Sequence, residues 1–437
     1  MIAQTMIRPT SSGEARPQGI FISSTLPWGL DKDLHGGTLR ALVMLQGCLD
    51  AWGCVDLVFL DRSRVVRSTQ ETEAFESWIR GRLAGEFTVQ VISVPPHEPV
   101  WIPRRLLEYF LAWPLGAPKE KSLALLVDML RRQTSGRIFC QRIEAFKLAC
   151  SAAKAVGSKF EMVMDLDDIE HRAYARRLRE TPNYPTRFLL HLHTLRYWLW
   201  EQIALSKCTR LFVCSDSDAA LLMKRAPRSR VDVVANTIAD PGRFPSLKSN
   251  ESPPVLLFVG VLTYSPNLYG LRWFIDRVWP LVLQKQPSAK LKVAGKGSEH
   301  LHVPEDVRSS VELLGFVNDL TGLYRQATIA ICPIRSGGGT RIKLIEACAH
   351  GLASVSTRLG AEGLLLAEGE SILIRDEPDE FAHAVIELIE DRQKAEHIGW
   401  NARRAFEQHY ERAAVIRHTA DLLRSIPDQR VSSWPAA

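Results

Sequence analysis

Two runs of short apolar segments, each alternating with amphipathic helical patterns, lie on either side of a polar break rich in proline. No other feature constrains the fold as strongly. Strands joined through helices return to the same end of a sheet, so they pair in parallel, and such sheets are covered by helices on both faces. In the first run the segments 19–24, 55–60, 87–94, 137–140, 160–166, 210–215 and 230–236 read as strands, with a helix over 36–53 after the first. The stretch 240–254, "DPGRFPSLKSNESPP", interrupts the pattern and reads as a linker. In the second run the strands are 255–260, 289–295, 311–315, 328–333, 353–357 and 371–374, closed by helices over 378–393, 395–410 and 412–426. The expectation is an α/β protein with two doubly wound parallel sheets, whose ligands bind beyond the carboxyl ends of the strands.

At one such end the sequence reads "IRSGGGTRIKLIEACAHG", residues 334–351. Glycines 337, 338 and 339 permit positive φ and leave backbone N–H groups uncovered, and a helix beginning near Thr340 adds its own unpaired N–H groups and the positive end of its dipole. Arg341 and Lys343 place two cations beside these donors. This is the chemistry of a phosphate cradle; a flexible glycine loop is the alternative.

A length of 437 residues exceeds one ordinary core, in keeping with two domains. With 46% hydrophobic and 24% charged residues the chain reads as globular, and it has neither a continuous membrane-spanning stretch nor an apolar signal core near its start. A cytoplasmic location is expected. The eight cysteines form no C-x-x-C pair and fall mostly in apolar segments, which favours buried reduced thiols over zinc or disulfides. Residues 1–240 hold 32 Lys/Arg against 26 Asp/Glu, whereas 241–437 hold 23 of each. All the excess positive charge therefore lies in the first half. It suits an anionic acceptor or membrane surface, although a solvated basic face is the commoner explanation for so small an excess. The segments 101–116 and 121–133, apolar and edged with arginines, read either as packed helices or as peripheral contacts with an anionic membrane at the inner face. Nothing points to nucleic acid.

The segments "FISSTLPWGLDKDLHGGTLRAL", "VVANTIADPGRF", "LLFVGVLTYSPNLYGLRWF", the continuous stretch 311–363 and "NARRAFEQHY" together resemble the family 4 glycosyltransferases, also called glycosyl transferases group 1. The resemblance implies the GT-B fold, two Rossmann-like domains facing a central cleft. On this basis residues 1–18 are a disordered tail, 19–240 the acceptor-binding domain, 241–254 the linker and 255–410 the nucleotide-sugar-binding domain. Residues 411–437 are a C-terminal helix and tail, with a return to the first domain left open.

Family members carry a Glu-x7-Glu motif at the glycine turn, in which the second Glu holds the ribose and the first touches the donor sugar. Glu346 stands at the second position. The first is Gly338, so the resemblance implies that donor contacts there come from backbone N–H groups of Gly338, Gly339 and Thr340. Relatives also place an Arg and a Lys after the glycine that ends the first strand of the second domain. Here Gly260 is followed by Val261, and the lysine position holds Asn267. Arg341 and Lys343 are the economical replacements for these missing charges.

In the first domain Gly36 and Gly37 of "HGG" are expected to face donor phosphate and acceptor, or simply to form a tight turn. In "MDLDDIEH", residues 164–171, Asp168 is the first choice for the residue beside the sugar and Asp167 the second. Asp165-x-Asp167 also mimics a metal-binding pair, a spacing repeated at Asp216 and Asp218, where Ser215 and Asp216 read as a helix cap. Glu362 is a further donor contact. The expected activity is transfer of a sugar from a nucleotide-sugar to a glycan or lipid-linked acceptor with retention at the anomeric carbon. Asp168, Arg341 and Lys343 are the expected catalytic residues, with no metal and no cofactor. The alternatives are an epimerase on the same fold and a non-catalytic nucleotide-sugar-binding protein.

Overall fold

The computed structural model describes residues 18–25, 36–61, 68–93, 120–133, 135–178, 184–225, 230–242 and 253–426. The expectations for the N-terminal tail through residue 17, for His35, for 101–116 and for the centre of the linker lie outside these residues. The chain divides into two compact units. One comprises residues through His171, His191–Val234 and the residues from Val415; the other comprises Arg172–Leu190 and Ala235–Ala414.

The first unit is built on seven strands, β1 (Ile20–Ser23), β2 (Cys54–Asp61), β3 (Glu86–Ser93), β4 (Arg137–Gln141), β5 (Glu161–Asp167), β6 (Arg210–Val213) and β7 (Val231–Val233). They pair in parallel in the order β3-β2-β1-β4-β5-β6-β7. Alternate residues of each strand feed cores on opposite faces. Ile20, Ile22, Val58 and Leu60 join one core, while Phe21, Val55, Leu57 and Phe59 join the other. Both faces must be apolar, which is why these strands read as unbroken hydrophobic runs.

The Glu120–Arg132 helix buries Leu126 and Leu130 in the first of these cores and leaves Arg131 and Arg132 exposed. Within 121–133 the packed-helix alternative therefore accounts for the apolar residues. The Arg412–Arg424 helix belongs to the first unit for most of its length and adds Val415 and Leu423 to the second core. The contact is close. A Cβ placed on Gly47 would lie 2.6 Å from Cγ2 of the fully buried Thr419.

The second unit holds β8 (Val255–Val259), β9 (Lys290–Ala294), β10 (Val311–Gly315), β11 (Ile329–Cys332), β12 (Ser354–Ser356) and β13 (Leu373–Ile374), parallel in the order β10-β9-β8-β11-β12-β13. Leu256 and Phe258 enter one core and Leu257 the other. The direction of strand succession reverses between β8 and β11. At such a switch point the two following loops leave toward opposite faces and open a crevice, the usual ligand position in open α/β sheets. The loop after β8 begins at Gly260, and the loop after β11 carries the glycine run.

All eight cysteines are free, seven of them buried and Cys150 half-buried. Among the described residues no helix is long and apolar enough to cross a membrane.

Candidate functional site

The switch point of the second sheet gathers several of the predicted residues. Gly337 and Gly339 adopt φ of 82° and 81°, the left-handed region that favours glycine. Gly337 also lies against its neighbours, since a Cβ there would sit 2.8 Å from Cγ of Pro266 and 2.9 Å from the Tyr264 hydroxyl. The Ile342–Ala349 helix starts after Arg341, which as the N-cap residue supplies no side-chain acceptor to the first turn. Arg341 itself is buried and folds back on its own loop. Its Nη1 donates to the Gly338 carbonyl at 2.5 Å and its Nη2 to the Ser336 carbonyl at 3.3 Å. The guanidinium thus braces the glycine loop, with its positive charge at the base of the turn.

Lys343 reaches across to the first turn of the Ser265–Trp273 helix, which follows the loop after β8. Its Nζ donates to Oδ1 of Asn267 at 2.8 Å and lies 4.1 Å from the centroid of the Phe258 ring. Asn267 is fixed in turn by a 2.9 Å bond from its Nδ2 to the Val261 carbonyl. Gly260 lies beside both residues, because a Cβ there would come within 2.9 Å of Lys343 Nζ and of Asn267 Nδ2. Lys343 therefore delivers a cation to the end of β8, where the sequence has none of its own. Burial lowers the ammonium to about 8; the nearby Arg341 lowers it further and Glu346 opposes the shift.

One helical turn after Lys343, the half-buried Glu346 accepts a 2.8 Å hydrogen bond on Oε2 from the phenol of Tyr324. Burial pushes this carboxyl up, against the pull of Tyr324 and Lys343. The Tyr324 ring stacks on His350 with centroids 4.8 Å apart, and burial holds His350 down at about 4. Tyr324, His350 and Phe258 escaped the sequence reading. No spacing in "LTGLYRQA" links Tyr324 to a residue 22 positions later. Glu362, in the loop after β12, forms an ion pair with Arg172 at 3.8 Å.

In the first unit, Gly36 and Gly37 open the Gly36–Trp52 helix, and Asp168 lies half-buried just beyond the carboxyl end of β5. Asp165 and Asp167 are engaged by arginines. Arg40 Nε and Nη2 bind the fully buried Asp165, and Arg142 Nη2 binds Asp167 at 2.7 Å. Arg142 and Asp167 both have positive φ, 70° and 62°, a conformation costly for residues other than glycine. These ion pairs occupy both carboxylates. Ser215 caps the Asp216–Met223 helix by accepting from the Asp218 N–H at 3.2 Å.

Residues 253–391, which contain the whole switch-point cradle, match the family model described as Glycosyl transferases group 1. They form a group 1 glycosyl transferase domain. The chain is 27% identical over 171 residues to an uncharacterized 44.6 kDa protein of the cps region of Klebsiella pneumoniae, covering 37% of this chain and 44% of that protein. It is 30% identical over 120 residues to the phosphatidyl-myo-inositol mannosyltransferase of Mycolicibacterium smegmatis, covering 26% of this chain and 31% of that protein. The matched region thus spans less than half the length of either relative. Among solved structures, Anabaena Alr3699/HepE in complex with UDP and glucose superposes with a TM-score of 0.59 at 15% identity, covering 94% of this chain and 100% of the other. The two parallel-sheet units have the GT-B fold.

Proposed function

We propose that this protein transfers a sugar from a nucleotide-sugar donor to a glycan or lipid-linked acceptor, with retention at the anomeric carbon and without a metal ion. The observation that carries this reading is the placement of Lys343 Nζ at the end of β8, against Gly260 and Asn267, with Glu346 one turn further along the same helix. A nucleoside diphosphate matches that arrangement: ribose hydroxyls on the Glu346 carboxylate, phosphates on the glycine-loop N–H groups and the Lys343 ammonium. Similar proteins support this reading: one is a phosphatidyl-myo-inositol mannosyltransferase, and another has been solved in complex with UDP and glucose.

In this reaction the bond from the anomeric carbon to the diphosphate oxygen breaks, and that oxygen keeps the electron pair. Lys343, the helix N-terminus and the Arg341 charge stabilise the growing negative charge. The acceptor oxygen attacks from the face the diphosphate leaves, and its proton passes to the departing phosphate. Asp168 positions the acceptor or stabilises positive charge on the sugar ring. Gly36 and Gly37 supply backbone donors on the acceptor side, and Glu362 bounds the donor sugar. The basic first half favours an acceptor carried on an anionic membrane surface.

A second reading, a protein that binds nucleotide-sugar without transferring it, is favoured by Gly338, which leaves the first acidic position of the motif without a carboxylate. The deciding experiment incubates the full chain with a panel of nucleotide-sugars and with soluble and lipid-linked acceptors, and identifies products by mass spectrometry. A glycosylated acceptor supports transfer. Tight donor binding without product or nucleotide release supports the second reading, and an epimerised donor would point to an epimerase on this fold.

A further inference from the structure

We propose that Tyr324 is a positioning residue that holds one oxygen of the Glu346 carboxylate so that the other meets the ribose of the donor. The proposal rests on the donor-binding role of Glu346 given above.

Tyr324 lies in the Thr321–Gln326 helix that precedes β11 and is only 3% exposed. Its ring is held on both sides. It packs into the core cluster of Leu257, Ala330, Ala347 and Leu352 and stacks nearly parallel on His350, at 9°. A ring clamped in this way fixes the direction of its hydroxyl. The phenol oxygen is 2.8 Å from Oε2 of Glu346 and 3.4 Å from the Lys343 carbonyl, so its single proton is best used on the carboxylate. Among the described residues Glu346 Oε1 accepts no hydrogen bond, and the residue is only half-buried. The two oxygens are therefore unequal: Oε2 is anchored from within the protein, and Oε1 is left for a ligand.

The same contact favours the ionised carboxyl. Burial works against ionisation, while Tyr324 from one helix and Lys343 from the Glu346 helix itself favour it. Asn267 holds Lys343 in place, and His350, facing Tyr324, is kept uncharged at neutral pH. A protonated Glu346 would offer a donor where two ribose hydroxyls need an acceptor. Removing the phenol therefore disturbs ligand binding in a pH-dependent way, which loss of packing alone would not.

The test measures binding of UDP, GDP and ADP and of their 2′,3′-dideoxy counterparts between pH 5 and 8 by calorimetry, on the full chain and on its Tyr324→Phe and Glu346→Gln variants. Tyr324→Phe keeps the stacked ring. It is expected to weaken binding of the preferred ribonucleotide about tenfold at pH 6, leave the dideoxy affinity unchanged, and raise the pH at which the preference for ribose is half lost. Glu346→Gln is expected to lower that preference at every pH. An unmoved midpoint in Tyr324→Phe overturns the positioning role, even where Glu346→Gln behaves as stated. A ribose preference that survives intact in Glu346→Gln, or binding of none of the three nucleotides, overturns the Glu346 reading itself, and Tyr324's role with it.

Discussion

The ammonium of Lys343 and the side-chain carbonyl of Asn267 are joined by a 2.8 Å hydrogen bond across 76 residues of sequence. This bond ties the helix after β8 to the helix after β11. It also fixes where the cation sits and, through its surroundings, how readily it loses its proton.

If Lys343 stabilises the leaving diphosphate, its ammonium must be protonated when donor binds. Burial sets it near 8, so kcat/KM for donor is expected to fall as pH rises through about 8. Lys343→Arg, which stays charged, is expected to remove that alkaline decline while lowering the maximum through its altered shape. An alkaline limb unchanged in Lys343→Arg would assign it to another group.

Gly260 tests the same point by volume alone. Its added Cβ would stand 2.9 Å from both Lys343 Nζ and Asn267 Nδ2, closer than such atoms normally approach. Gly260→Ala is expected to displace the lysine and weaken donor binding about tenfold or more, the loss of one charge-assisted contact. Calorimetry on the folded variant measures this, and unchanged affinity would show that the lysine yields without cost.

The first unit carries a buried lysine that the proposed chemistry does not use. Lys147 is 1% exposed, its Nζ finds no hydrogen-bond acceptor among the described residues, and it lies 3.8 Å from the centroid of the Trp200 ring. Burial and the charge of Arg196 lower it to about 6. The unfolded chain, with an ordinary lysine, binds one more proton between about pH 6 and 10.5, so this residue makes stability rise with pH through that window. Lys147→Met is therefore expected to raise Tm at pH 7 by on the order of 5 °C, with the gain shrinking toward pH 10. Thermal melts across this range check the slope, and a gain independent of pH would show that the lysine is charged in both states.

Chelation addresses the carboxylates. Because Asp165 and Asp167 are bound by Arg40 and Arg142, transfer is expected to persist after excess EDTA. Activity lost in EDTA and restored by manganese or magnesium would reverse this assignment.

The strands were legible in the sequence as short apolar runs, clearest where both faces are buried, as in Cys54–Asp61. The reading 55–60 corresponds to Cys54–Asp61, and 311–315 to Val311–Gly315. The glycine run was legible because only glycine adopts φ near 80° at little cost. The Lys343–Asn267 contact was foreseen as a need for charge, but its geometry depends on strand order, which local pattern does not encode. Arg341 shows the limit from the other side. Its charge was read as facing a ligand, yet two nearby carbonyls claim its Nη atoms. The left-handed Arg142 and Asp167 carry no local mark at all, since their conformation is maintained by ion pairs formed only in the folded unit.

The Arg412–Arg424 helix supplies Val415 and Leu423 to a core that also contains Phe21 and Phe59. During synthesis that core lacks these two side chains until the helix has left the ribosome. The other unit has all its segments once Ala414 has emerged. At roughly 5 to 20 residues per second, the stretch from Ala235 to Ala414 holds the first sheet waiting for tens of seconds or less. The half of the protein that is translated first is the half that is finished last.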